Sequence, residues 1–271
     1  MNPLAVLIRP QGTGAVFAGV RLRTVAAVWL RHGLVFARLW RLVVTWVLVE
    51  PLFVLAAMTL GVGKLVGDVE PGLSYAVFVA PGVIIGNAMF HAIFTASWDL
   101  YHRVSGGQCE AQLTAPVTIT EIALGEMAWA TTRALLTTAS VGAVAALMGQ
   151  FDSPWAVGIL VAALLVGLEF GALGMIFAAV SPNTHMLSLV FTVIATPMFF
   201  FSGGFFPIVN LPGWLQPFAW ALPLTPGVHL ARGFTTGDFS VTHLWSALYM
   251  LGFTAAVFPV SVWLLKRRLI K

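Results

Sequence analysis

The chain has 271 residues, 59% of them apolar and only 9% charged, with 14 lysines and arginines against 10 acids. Soluble domains carry roughly 25% charged residues, so most of this surface must be solvated by lipid. Its positive balance is therefore set against a membrane and not a nucleic acid. The single cysteine, Cys109, excludes an internal disulfide and leaves any metal site without a thiolate cluster.

The first twenty residues hold Arg9, Pro10 and three glycines, and no apolar run leading to a small-residue cleavage site, so no cleavable signal peptide is expected. From about residue 17 to 41 the sequence mixes arginines with large apolar residues. At 100° per residue, Arg21, Arg23, Arg31, His32, Arg38 and Arg41 share roughly half the circumference, while Leu22, Trp29, Leu30, Phe36 and Trp40 occupy the other. That division predicts an amphipathic helix in the membrane interface; a basic cytoplasmic tail is the alternative. Residues 1–41 are thus set apart from a transmembrane domain over 42–271.

A bilayer core about 30 Å thick is crossed by roughly 20 apolar helical residues. Six such runs follow, from about Leu42 to Val62, Ser74 to Ala96, Ile122 to Leu147, Trp155 to Ala179, Met186 to Phe206 and Trp245 to Leu265. The expected fold is an all-α integral membrane protein with six transmembrane helices. Six basic residues precede the first run and four follow the last, which predicts both ends on the cytoplasmic side of the cell membrane. An even number of spans makes the same prediction independently.

Between the second and third runs lies the most polar internal stretch, DLYHRVSGGQCEAQLTAPVT at 99–118. Gly106, Gly107 and Pro116 break it, leaving room for either a short surface helix or a solvated loop. After the fifth run, Pro207, Pro212, Pro217, Pro223 and Pro226 forbid one straight helix, and Trp214 and Trp220 alternate with them. Two re-entrant half-helices between spans five and six are predicted, with a loop resting on the bilayer as the alternative.

Glu50, Glu126, Arg133 and Glu169 fall inside predicted spans. Each costs on the order of 2.5–3.5 kcal/mol at the bilayer centre, so each should face protein or water and find a partner. Glu126 and Arg133 share a face but stand about 10 Å apart along the axis, so their partners are expected on other helices. Fixing helix packing and touching substrate or protons are both open roles. Pro51, beside Glu50, is expected to kink its helix.

No catalytic residue is assigned. GVGK at 61–64 continues into Leu65, with Met58 where a phosphate loop needs its first glycine, so ATP binding through that loop is not expected. There is no H-E-x-x-H zinc signature. Ser202 and Gly203 suggest an intramembrane serine protease, but Phe200 stands where the G-x-S-G turn needs glycine, and neither His229 nor His243 lies well within a later span.

The stretch FFFSGGFFPIVNLPGWLQPFAWALPLTPGVHLARG at 199–233 resembles the end signature of type-2 ABC exporter permeases. EPLFVLAAMTLGVGKLVG from Glu50, APGVIIGNAMFHAIF from Ala80 and LGEMAWATTRALL from Leu124 are most similar to permeases exporting nodulation-type lipo-oligosaccharides. The resemblance implies a homodimer of this chain with two separate ABC ATPase subunits that bind the ATP and magnesium. It implies export of an amphipathic, lipid or lipo-oligosaccharide-like cargo, with a multidrug-type permease or, from another class, a proton-coupled secondary transporter as alternatives. It makes Tyr101, Arg103, Gln108 and Glu110 candidates for contact with the ATPase, and Trp46, Glu50, Phe199 and Phe200 candidates for the cargo groove. Val209 departs from it, standing where relatives often carry an acid.

Overall fold

The computed structural model describes the backbone of residues 19–70 and 72–270, and the side chains within that set other than those of 40–48, 50 and 70. The architecture is almost wholly helical. In chain order, α1 (Leu22–Ala56) is followed by a π-helical turn at Ala57–Val62 and α2 (Gly63–Val66). A two-stranded antiparallel hairpin, β1 (Asp68–Glu70) and β2 (Leu73–Ser74), leads to α3 (Tyr75–Phe94), whose end passes through a π-turn at Thr95–Asp99 into α4 (Leu100–Ser105). Then come α5 (Gln108–Gln112), α6 (Ile119–Leu147), a 3-10 turn at Pro154–Gly158 and α7 (Ile159–Val180). The remaining helices are α8 (Thr184–Val190), α9 (Thr196–Phe201), α10 (Gln216–Ala221), α11 (Leu224–Thr236) and α12 (Val241–Leu269), with a π-turn at Phe191–Ala195 joining α8 to α9.

Among the described residues, five helical stretches are long and apolar enough to cross a membrane: Tyr75–Ser105, Ile119–Leu147, Pro154–Val180, Thr184–Phe201 and Val241–Leu269. They coincide with the second to sixth predicted runs. The first run falls on the second half of α1, where Pro51–Val66 forms a shorter apolar helix. Helix α1 is assigned without interruption from Leu22 to Ala56, across residue 41 where an interface helix was expected to give way to a span. Nothing between those residues forces a break, because Gly33 only weakens a helix and Pro51 removes a single amide donor.

Helix α7 is the centre of the bundle and packs against α3, α6, α11 and α12. Apart from Glu169 it is apolar all round, as a helix surrounded by others must be, and Phe170 and Met175 are fully buried. Close approach depends on small residues, since lipid supplies no hydrophobic drive between helices. A Cβ on Gly167 would lie 2.6 Å from the Cα of Thr131, so α7 and α6 touch backbone to backbone there. Helix α6 begins with a reciprocal cap: the Thr118 hydroxyl accepts from the amide of Glu121, whose carboxylate accepts from the amide of Thr118.

Helix α1 runs beside α6 in the same direction. Its start is tied to α6 by the Arg21 amide and side chain, which reach Glu121 Oε1 at 2.8 and 3.4 Å. Val28 then fills the space over Gly125, and the Trp29 indole donates to Thr132 at 2.9 Å. The proline-rich stretch does form two short helices, α10 and α11, and Arg232 of α11 donates to the carbonyls of Phe78 and Gly203, pinning them to the start of α3.

Candidate functional site

The polar loop forms two short helices, α4 and α5, joined through Gly107 at φ 72°. The two faces of this segment differ. His102, Ser105, Gln108 and Glu110 are exposed, whereas Tyr101, Arg103 and Cys109 are buried. Two of the four residues expected to meet a partner therefore point outward and two point into the bundle.

Arg103 is held by groups from two other helices. Its Nη2 donates to Glu126 Oε2 of α6 in a short contact, and its Nη1 lies 3.0 Å from His32 Nδ1 and 2.8 Å from His32 Nε2 of α1. His32 Nε2 is in turn 3.1 Å from Glu126 Oε1. The imidazole thus stands between the guanidinium and the carboxylate. Trp129 stacks on the His32 ring at 5.6 Å and closes one side. Glu126 thus takes its partners from other elements, and the histidine on the basic face of α1 becomes an internal ligand.

Tyr101 joins the opposite side of the loop to the bundle. Its hydroxyl donates to the Pro182 carbonyl at 3.1 Å, and its ring lies 5.0 Å from the Arg268 guanidinium. Arg268, in the last turn of α12, donates to the carbonyls of Ala178 and Ala179, which α7 leaves open at its end, and of Ser181 just beyond it. Burial pushes the Cys109 thiol up from 9.0 to about 11, against the pull of the nearby Arg103 charge. The loop is clamped to α1 and α6 through Arg103 and to α7 and α12 through Tyr101.

The remaining charges are not paired in this way. Arg133 lies over the Phe36 ring at 5.5 Å, and its Nε is buried without a hydrogen-bond partner among the described residues. Glu169 is fully buried in α7, and neither of its oxygens has a hydrogen-bond partner among the described residues. Phe199 packs on Phe90, Phe200 and Phe205, and its ring occupies the space that a Cβ on Gly86 would need. Phe200 is partly exposed, at 44%. Trp46 and Glu50 lie on α1, outside the described side chains.

Sequence reasoning missed His32 as a ligand, Arg268 as a helix-end cap and the inward turn of Arg103. A histidine among arginines was the available signal for the first. For the other two none was available, because both depend on residues about 90 and 20 positions away.

Residues 23–234 match the model of the family described as ABC-2 type transporter. The chain belongs to that family. Nodulation protein J of Rhizobium leguminosarum bv. viciae is 33% identical to it over 246 residues, covering 90% of this chain and 95% of that protein. Nodulation protein J of Rhizobium meliloti (strain 1021) is 34% identical over 245 residues, 90% of this chain and 93% of that protein. The inner membrane transport permease YadH of Escherichia coli (strain K12) is 24% identical over 79% of this chain and 82% of its own length. As an ABC-2 type transporter the chain is a multi-pass membrane permease, and the five membrane-length helices are those of a transport subunit.

Proposed function

We propose that this chain is the membrane half of an ATP-driven exporter in the cytoplasmic membrane, moving an amphipathic, lipo-oligosaccharide-like cargo outward while separate ATPase subunits hydrolyse the ATP. The observation that carries the reading is similarity to nodulation protein J over nearly the full length of both chains. Two copies of the permease pair with two ATPases. Each copy crosses the membrane six times, the first crossing being residues 42–62. Both ends are cytoplasmic, supported by basic residues before the first run and after the last. Helices α10 and α11 are the re-entrant pair, supported by their shortness and the prolines that bound them.

In this reading α4 and α5 form the surface on which the ATPase presses. Exposed Gln108 and Glu110 meet the partner, while Tyr101 and Arg103 carry displacement inward. Movement of the loop reaches α6 and α1 through Glu126 and His32, and α7 and α12 through Pro182 and Arg268. Phe199 and Phe200, with Trp46 and Glu50 of α1, line the cargo path.

The experiment is co-expression with the candidate ATPase and purification in detergent. The chain alone should hydrolyse no ATP, the pair should, and changing Gln108→Ala together with Glu110→Lys should cut ATPase recovery several-fold while leaving membrane insertion intact. Hydrolysis by this polypeptide alone would sink the reading; unchanged recovery of the ATPase would remove the loop assignment. A proton-coupled carrier is the second reading, favoured by the buried Glu169 carboxyl, unpartnered among the described residues. Vesicle transport that follows a proton gradient and ignores ATP would select it.

A further inference from the structure

Arg133 is the anomaly of the bundle. It stands fourteen residues into α6, about 21 Å from the start of a helix about 43 Å long, at a depth where a charge needs a partner. No carboxylate among the described residues comes within ion-pair distance of it, and its Nε is buried and unpartnered. Its side chain is nevertheless partly exposed. The surroundings are of two kinds. Phe36, half-buried, lies beneath the guanidinium as an aromatic floor, and the buried Trp129 backs it edge-on at 5.7 Å. His91 and Asp99, at the end of α3 and in the turn that follows, are accessible and lie within electrostatic range of Arg133.

We propose that Arg133, Asp99 and His91, over the Phe36 ring, form the site that holds the uncharged, polyhydroxylated headgroup of an amphiphile in transit. This rests on the exporter reading and names the residues that recognise its cargo. The guanidinium offers fixed donors and no acceptor, and the carboxylate offers acceptors only. A sugar hydroxyl does both and bridges them, while its ring carbons lie against the aromatic floor, the mixture of apolar wall and few placed polar groups usual in ligand sites. Asp99 already balances part of the Arg133 charge, so an anionic headgroup gains little and meets a carboxylate. A resident bilayer lipid keeps its headgroup at the surface, about 15 Å above the middle of a core about 30 Å thick. A headgroup at Arg133 therefore belongs to a molecule that is crossing.

The test uses the purified full chain in a polyoxyethylene detergent, with native mass spectrometry counting retained dodecyl maltoside or dodecyl phosphate. Saturable retention of dodecyl maltoside is expected, at least about tenfold weaker in Arg133→Gln. Asp99→Asn should also weaken it, Lys64→Gln on α2 should not, and thermal unfolding of Arg133→Gln should match the parent. Preferential, Arg133-dependent retention of dodecyl phosphate would overturn the proposal in favour of an anion site. Retention indifferent to Arg133 would overturn it outright, and so would a loss of dimer in Arg133→Gln with retention intact, which would give the residue to the protomer interface. The assay needs no ATPase, so its failure leaves the exporter reading standing.

Discussion

Glu126 is the residue on which the loop depends. Both carboxylate oxygens are engaged, one by Arg103 and one by His32, and the group is buried. Removing one member of such a set leaves an uncompensated buried charge, which costs about 3–5 kcal/mol. Glu126→Ala should therefore lower unfolding stability in micelles by that order, and Arg103→Met in the same chain should return much of it, a coupling that a double-mutant cycle measures. Cys109 beside it gives a pH test. Its thiol is raised from 9.0 to about 11 by burial, so the folded state favours the protonated form. Its contribution to stability is present below 9.0, the unperturbed value, and is lost as pH rises towards 11. Maleimide should accordingly modify Cys109 in the folded protein at pH 7 many-fold more slowly than in dodecyl sulfate, as a gel-shift assay will show. Of these residues, Glu126 was legible as a site because a carboxylate inside an apolar run is expensive. Arg103 was legible only as a polar loop residue, since the direction of its side chain is decided by a histidine 71 positions earlier.

At the scale of elements, the second to sixth spans were legible because each is an apolar run of membrane length, and hydropathy needs no knowledge of neighbours. The continuity of α1 was not. A change of surroundings from headgroups to acyl chains alters which side chains suit a helix, and it leaves the backbone hydrogen bonds as they were. The π-turns at Ala57–Val62, Thr95–Asp99 and Phe191–Ala195 were also hidden, each being a local widening inside an otherwise apolar stretch. The seam between α6 and α7 yields a prediction at this scale. With Thr131 Cα 2.6 Å from where a Cβ on Gly167 would sit, Gly167→Leu must push two backbones apart. A loss of about 1–3 kcal/mol is expected, read as a lower thermal midpoint in micelles. Gly142 of α6, with nothing within 4 Å of its would-be Cβ, is the control and should accept alanine without loss.

For the whole molecule, successive long helices alternate in direction. Arg21 joins Glu121 at the same end of the bundle where Tyr101 meets Pro182 and Arg268 caps α7. If the chain crosses six times, as proposed, reporters placed before residue 19 and after Lys271 must fall on the same side. Alkaline phosphatase fused at either end should be inactive and green fluorescent protein bright, with the reverse at the Gly149–Asp152 turn; active phosphatase at one end alone would require an odd number of crossings. The parallel pairing of α1 with α6 also has a consequence in time. Glu121 lies 100 residues beyond the Arg21 that binds it, and Glu126 94 residues beyond His32. At roughly 5–20 residues per second of synthesis, the first helix leaves the ribosome about 5–20 s before its partner exists. During that interval the arginines of its first half have only anionic lipid headgroups to hold, so depleting a membrane of acidic lipid should slow biogenesis of this protein while leaving the finished one intact.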